Sequence, residues 1–246
     1  MNTPCIWSKT NHSKEMVNLY LQKYGHLLTW KSNEETMLDI GCAEGSVTKR
    51  ILYPYVENHL GKLFGIDKDE NMIEFAKKYN QIDKIKYDVM DVMNNDYVKQ
   101  KENQFDHIFS IVVAQWIPDN KTFFTHIREM LKTNGQIFVI TLTNNFLKVS
   151  YSKQFKEQKW NKFVPPQQIF AEYSSNPEKY LRNLLEDVGF EVNLCIQEEI
   201  YLTVENIRDF IKALISMSGC IDYIPKELQD EYIQDHVKNC IEQSTY

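Results

Sequence analysis

MLDIGCAEGSVTKRIL, residues 37–52, passes from a short apolar run through a glycine-bearing turn into a helical stretch. Turns of this kind hold a ligand against a helix N-terminus, and most such ligands are phosphates. This turn instead carries two carboxylates, Asp39 and Glu44, and no cation before Lys49. Working outward, strand-like and helix-like segments alternate. TMLDI is followed by a helix from Ser46 to Tyr53. KLFGID is followed by DENMIEFAKKY, acidic at its start and basic at its end, as suits the helix dipole. IKYDVMD and FDHIFSIVVA read as the third and fourth strands, the fourth nearly all apolar, as expected of a strand covered on both faces. KTFFTHIREML is a helix and GQIFVITL a fifth strand. This rhythm predicts an α/β fold with a doubly wound, mostly parallel sheet.

Upstream, Ser13–Trp30 places apolar residues in one stripe at helical spacing, with Ser13 as N-cap. From Thr143 to Pro177 the rhythm breaks. That region is rich in aromatics and holds Pro165-Pro166, and reads as a partly helical insertion over the sheet edge. PEKYLRNLLEDVG is a helix stopped by Gly189, FEVNLCIQEEIYLT returns to strand, and VENIRDFIKALI and PKELQDEYIQDHVKNCI read as helices.

The chain has 246 residues, enough for one sizeable domain. Its net charge of −6 argues against a nucleic-acid partner. No apolar run approaches the roughly 20 residues of a membrane span, and the N-terminus lacks a signal-peptide core, so a cytoplasmic protein is expected. The five cysteines are scattered and read as free thiols. Neither they nor the six histidines show metal-ligand spacing. The oligomeric state is not legible.

In a doubly wound sheet the ligand lies beyond the C-terminal ends of the strands. The dinucleotide pattern G-x-G-x-x-G fails here. Counted from Gly41, the third position is Ala43, the sixth is Ser46, and the glycine falls at the fifth, Gly45. A pyrophosphate would also be repelled by Asp39 and Glu44, which disfavours a nicotinamide oxidoreductase. A ligand with cationic groups and an adenosine fits better. S-adenosylmethionine has an ammonium, a sulfonium and a ribose diol. Asp67 closes the second strand, where an acidic residue grips ribose hydroxyls, and Asp91 closes the third, in reach of an adenine amino group. Alone, each is equally readable as a helix cap; three acidic residues ending three successive strands form a less accidental set.

At these residues the chain resembles class I S-adenosylmethionine-dependent methyltransferases, and within them the insect juvenile hormone acid and farnesoic acid O-methyltransferases. The resemblance is carried by LDIGCAEGSVTKRIL, GIDKDENMIEFAKK, FDHIFSIVVAQWIPD, LEDVGFEV and YLTVENIRDFIKAL. The Gln-Trp and Pro-Asp pairs after the fourth strand are also similar to microbial enzymes that methylate trans-aconitate and malonyl carriers. All these groups methylate carboxylates. The resemblance implies a Rossmann-like domain over 1–246: a helical cap (1–30), a cofactor-binding core (31–142), a substrate-cap insertion (143–176), and the last core elements with C-terminal helices (177–246). It implies that Asp39, Gly41 and Gly45 cradle the methionine end, that Asp67 holds the ribose, and that Asp91 with Val92 holds the adenine. Lys68 and Ser110 complete the cofactor set. Trp116 matches a tryptophan that donates to the substrate carboxylate, and Gln115 and Lys14 join it in positioning the acid. Ala43 replaces the middle glycine, Lys14 stands where the family has glutamine, and Gln115 where the hormone enzymes have histidine. By the same resemblance, a last antiparallel strand would follow near the chain's end. The expected activity is methyl transfer to the carboxylate of a small apolar acid, with no general base. Transfer to another acid such as aconitate, or a degenerate binding protein of this fold, stand as alternatives.

Overall fold

The computed structural model describes residues 12–143, 146–163, 170–199, 206, 209, 211, 215 and 220–243. Five parallel strands form one sheet: β1 (Glu35–Ile40), β2 (Leu60–Asp67), β3 (Ile85–Val89), β4 (Phe105–Ile111) and β5 (Leu131–Ile140), in the order β3-β2-β1-β4-β5. β1 is central because both its faces are apolar: Met37 faces one core and Leu38 and Ile40 the other. Helices α1 (His12–Tyr24), α2 (46–56) and α3 (Glu70–Tyr79) belong to the first side. Helices α4 (Asn95–Gln100), α5 (Asn120–Met130) and α7 (Pro177–Val188) cover the second. Fully buried phenylalanines such as Phe109 and Phe123 each contribute roughly 1.5–3 kcal/mol of transfer free energy to this packing.

Local chemistry sets the helix ends. Asp69, Asp119 and Asn176 cap α3, α5 and α7 by accepting from backbone N–H groups two or three residues on. Gly189, at φ +98°, ends α7 in a left-handed cap. α2 widens to π geometry over Thr48–Leu52, just ahead of Pro54, whose ring has no N–H to continue an α-helical ladder.

The differences from the sequence reading have local causes. α1 begins at His12, so Ser13 lies in its first turn and is not its cap. β4 stops at Ile111 because Val112 turns to φ +60°. β5 starts earlier than expected, at Leu131, with a register irregularity accommodating Asn134 at φ +59°. Residues 190–199, expected as a strand, form none. Their backbone is held by side chains: Arg182 donates to the Val192 carbonyl, and Glu178 accepts from the Gln197 N–H. The rest of that segment, and most of the helix expected after it, lie outside the described residues.

A third apolar cluster forms a cap built from distant parts of the chain. α6 (Phe146–Gln154) packs on α8 (Gln229–Gln243), with Tyr151, Trp160, Phe170, Ile211 and Tyr232 buried between them. His236 sits fully buried in this cap, bonded through Nδ1 to Gln154 Oε1, while Trp160 donates its indole N–H to Asp235 at 3.0 Å. A second buried histidine, His107, lies at the opposite end of the sheet. Its Nε2 is 3.2 Å from Glu35, and Trp30 packs against its ring.

Burial pulls both imidazoles down, to about 4 for His107 and about 3 for His236, so both are neutral in the fold near pH 6. Unfolded histidines take a proton below about 6.5, so these two groups favour unfolding as pH falls through that value. In urea titrations between pH 5 and 6.5, His236→Gln is expected to flatten stability against pH by about one bound proton relative to the parent, roughly 1.4 kcal/mol per pH unit. An unchanged slope would show that His236 is protonated in the fold.

Candidate active site

The order of the sheet brings the loops after β3, β2, β1 and β4 side by side along one edge. The strand order reverses between β1 and β4, and a crevice opens there. The turn after β1 alternates its backbone: Gly41, Ala43 and Gly45 have φ of +69°, +48° and +81°. The N–H groups of Gly41 and Cys42 both donate to the Ile66 carbonyl, and that of Ala43 donates to Asp67 Oδ2 at 3.0 Å. The turn is thereby tied to the end of β2. A Cβ on Gly41 would lie 2.3 Å from Val113 Cγ2, so the loop after β4 packs directly on this turn.

The carboxylates divide the work. Glu44 is buried just ahead of α2, with one carboxylate oxygen lacking a partner among the described residues; burial raises its pKa, against the nearby Ser46. Asp39 accepts from Thr48 Oγ1 at 2.6 Å, across the π-shaped turn. Burial raises the Asp39 pKa to about 7, with the Asp67 charge adding and the Thr48 hydroxyl opposing. Proton binding by Asp39 therefore stabilises the fold below the unfolded value near 4, and this contribution is lost as pH rises to about 7. Asp67 accepts from Ala43 and Asp69 N–H groups and keeps lone pairs for further donors. Its pKa is also raised, chiefly by burial. This donor set fits a ligand bearing an ammonium and a diol: an ammonium at Asp39 would compensate a buried charge that the chain leaves nearly neutral.

The remaining expected residues fall as follows. Asp91 follows β3 and is exposed, with one oxygen accepting from Met93 N–H. Val92 is buried, and its carbonyl receives the His126 Nδ1–H at 2.9 Å. Lys68 is exposed beyond β2. Ser110 lies inside the sheet beside Ile40, its hydroxyl fully buried and without a partner among the described residues. Lys14, on the first turn of α1, is buried. Desolvation lowers its pKa, against the pull of the Glu44 charge, so α1 delivers a cation to the cofactor turn. Trp116 stands in a 3-10 turn (Ala114–Trp116) after β4. Its ring is 5.2 Å from Phe170 of the cap, and its indole N–H is buried with no partner among the described residues. The Gln115 amide is consumed by internal bonds. The sequence reading missed Thr48, whose spacing of nine from Asp39 becomes meaningful only once α2 folds back over β1, and Val113, whose fit to Gly41 is a tertiary fact. Among the described residues no cluster of His, Cys, Asp and Glu is placed to hold a metal ion, and no helix is long and apolar enough to cross a membrane.

Ala43 carries a measurable strain, because a left-handed φ costs a side-chain-bearing residue about 1–2 kcal/mol. Ala43→Gly is expected to raise the denaturant midpoint by the equivalent of about 1 kcal/mol with an unchanged m-value. No rise would mean that the methyl group contributes packing equal to its strain.

Comparison with known proteins agrees with this geometry. A family model described as a methyltransferase domain matches residues 31–189. The chain is 27% identical to the juvenile hormone acid O-methyltransferase of Bombyx mori, covering 96% of this chain and 85% of that one. It is 24% identical to the enzyme of the same name from Drosophila melanogaster, covering 96% and 82%. A putative methyltransferase structure from Bacillus halodurans superposes with a TM-score of 0.55 at 15% identity, over 89% of this chain and 84% of that one, and shares its fold. With the reversal of strand order, the glycine turn and the acidic strand ends all in place, the chain belongs to the methyltransferase domain family and is an S-adenosylmethionine-dependent methyltransferase of class I.

Proposed function

We propose that the chain methylates the carboxylate of a small apolar acid of the juvenile hormone acid or farnesoic acid type. The observation that carries this reading is Trp116. A buried donor left unpaired costs about 1–3 kcal/mol, so a site that keeps one is suited to an incoming acceptor. The indole stands where the cofactor edge meets the aromatic cap, so its N–H can take a carboxylate oxygen while the cap takes an apolar tail. The names of the Bombyx and Drosophila relatives point to the same acceptor class.

When bound, S-adenosylmethionine supplies an electrophilic methyl group on a sulfonium. Asp39 and the turn from Gly41 to Gly45 would hold its methionine end, Asp67 would take the ribose diol, and Asp91 with Val92 would hold the adenine. A carboxylic acid with a pKa of roughly 4–5 is already ionised at neutral pH and needs no base. The buried histidines are engaged elsewhere, His107 with Glu35, His126 with the Val92 carbonyl and His236 with Gln154. What remains for the chain is to orient the carboxylate through Trp116 and to exclude water with the cap. A second reading, a smaller or more acidic substrate such as aconitate, is favoured by the buried ammonium of Lys14 beside the cofactor turn.

The test is transfer from methyl-labelled S-adenosylmethionine to farnesoic acid, juvenile hormone acid, aconitate and a primary amine. Transfer to the terpenoid acids is expected; transfer to aconitate alone selects the second reading. Transfer to the amine alone, or none despite binding of S-adenosylhomocysteine, would overturn the carboxylate assignment. Trp116→Phe is expected to lower kcat/KM on the preferred acid by about 10–100-fold while sparing S-adenosylhomocysteine affinity. Because Asp39 keeps its proton up to about pH 7 in the free protein, and an ammonium partner needs it ionised, that affinity is expected to fall by up to about tenfold per unit as pH drops from 7 to 6. A flat calorimetric profile would place the ammonium elsewhere.

A further inference from the structure

Gln115, next to Trp116, is 2% exposed. Its Nε2 donates to the Val112 carbonyl at 3.0 Å. Its Oε1 accepts from Thr141 Oγ1 at 3.1 Å and from the Leu142 N–H at 3.5 Å. A backbone carbonyl only accepts and a backbone N–H only donates, so the amide can stand only one way round. Thr141 has a single hydroxyl proton and directs it to Gln115. Tyr173, whose hydroxyl lies 3.1 Å from Thr141 Oγ1, must therefore be the donor to Thr141. The chain of bonds runs in one direction: Tyr173 to Thr141, Thr141 to Gln115, Gln115 to Val112. Burial holds the Tyr173 pKa at about 12, so the first donor keeps its proton at neutral pH.

Val112, at the end of this chain, is a β-branched residue at φ +60°, a conformation that persists only where surrounding contacts enforce it. Its N–H is held by the Ile140 carbonyl at 2.7 Å and its carbonyl by Gln115. The strained turn sends Val113 against Gly41, and the backbone N–H of Trp116 then closes onto the Val113 carbonyl at 2.8 Å. The insertion joins the same assembly, since Ala171 N–H donates to the Gln115 carbonyl at 2.9 Å, two residues before Tyr173.

We infer that Tyr173, Thr141 and Gln115 form a clamp that positions Trp116 and makes its orientation depend on the seating of the insertion. Gln115 acts through Trp116 and does not itself meet the substrate. The inference rests on Trp116 as the carboxylate donor. Its structural half is tested without activity. In protein labelled with 5-fluorotryptophan, the Trp116 fluorine resonance, identified by its loss in Trp116→Phe, is expected to shift or broaden in Tyr173→Phe and in Thr141→Val. The resonance of Trp160, identified in the same way, is expected to stay in place. An unmoved Trp116 resonance in both near-isosteric variants would overturn the clamp. Its catalytic half is tested on the preferred acid. Each variant is expected to lower kcat by about 5–20-fold with S-adenosylhomocysteine affinity unchanged, and the double variant to lose no more than the worse single one, since both cut one chain. Full activity in variants whose Trp116 resonance has moved would overturn the positioning role alone. An unaltered kcat in Trp116→Phe would overturn the reading beneath it, and the positioning role with it.

Discussion

The side chain of Val113 occupies the space that a Cβ on residue 41 would need, and the two halves of the site are joined through that contact. β1 and β4 are neighbours, but the helices that follow them cover opposite faces of the sheet, so the chain parts on either side of a crevice. Gly41, at a φ that glycine tolerates, lets the loop of one strand close onto the loop of the other. The residues proposed to hold the cofactor follow β1, β2 and β3, and the tryptophan proposed to face the acceptor follows β4. The pairing of β1 with β4 sets their relative position, and the close approach of Val113 to the Gly41 backbone fixes how the two loops meet.

Around that contact an acidic turn resolves its charges in three ways. Glu44 faces a helix N-terminus, where a negative charge is welcome. Asp67 is fixed by two backbone donors from its own neighbourhood. Asp39 has a hydroxyl partner, Thr48, and burial raises its pKa to about 7. Glu44 keeps one buried oxygen without a partner among the described residues, while at Asp39 the ammonium of the proposed cofactor would supply a cation.

The parallel core was legible because a strand buried on both faces shows an unbroken apolar run, and because helix caps are local chemistry: Asp69, Asp119 and Gly189 act within three or four residues of where they stand. The acidic strand ends were legible for the same reason. What the sequence concealed depends on long-range fit. The alternation of Val192, Leu194 and Ile196 looks like a strand, but a strand also needs an edge in register, and the backbone there is bonded to α7 side chains instead. Gln115 was expected to position the acid because it stands where the hormone enzymes have histidine. Its amide is turned the other way by Thr141, 26 residues on, which no spacing rule could indicate.

The cap has a consequence in time as well as in space. Its buried cluster joins α6 to α8, and the contact between Ser150 and His236 spans 86 residues of chain. The five strands are complete by Ile140, so during synthesis the sheet can pair its strands before α7 covers its second face and before α8 reaches the cap. The cap is thus the part of the described fold whose halves are separated longest in time, since the apolar face of α6 stays uncovered until α8 has been made.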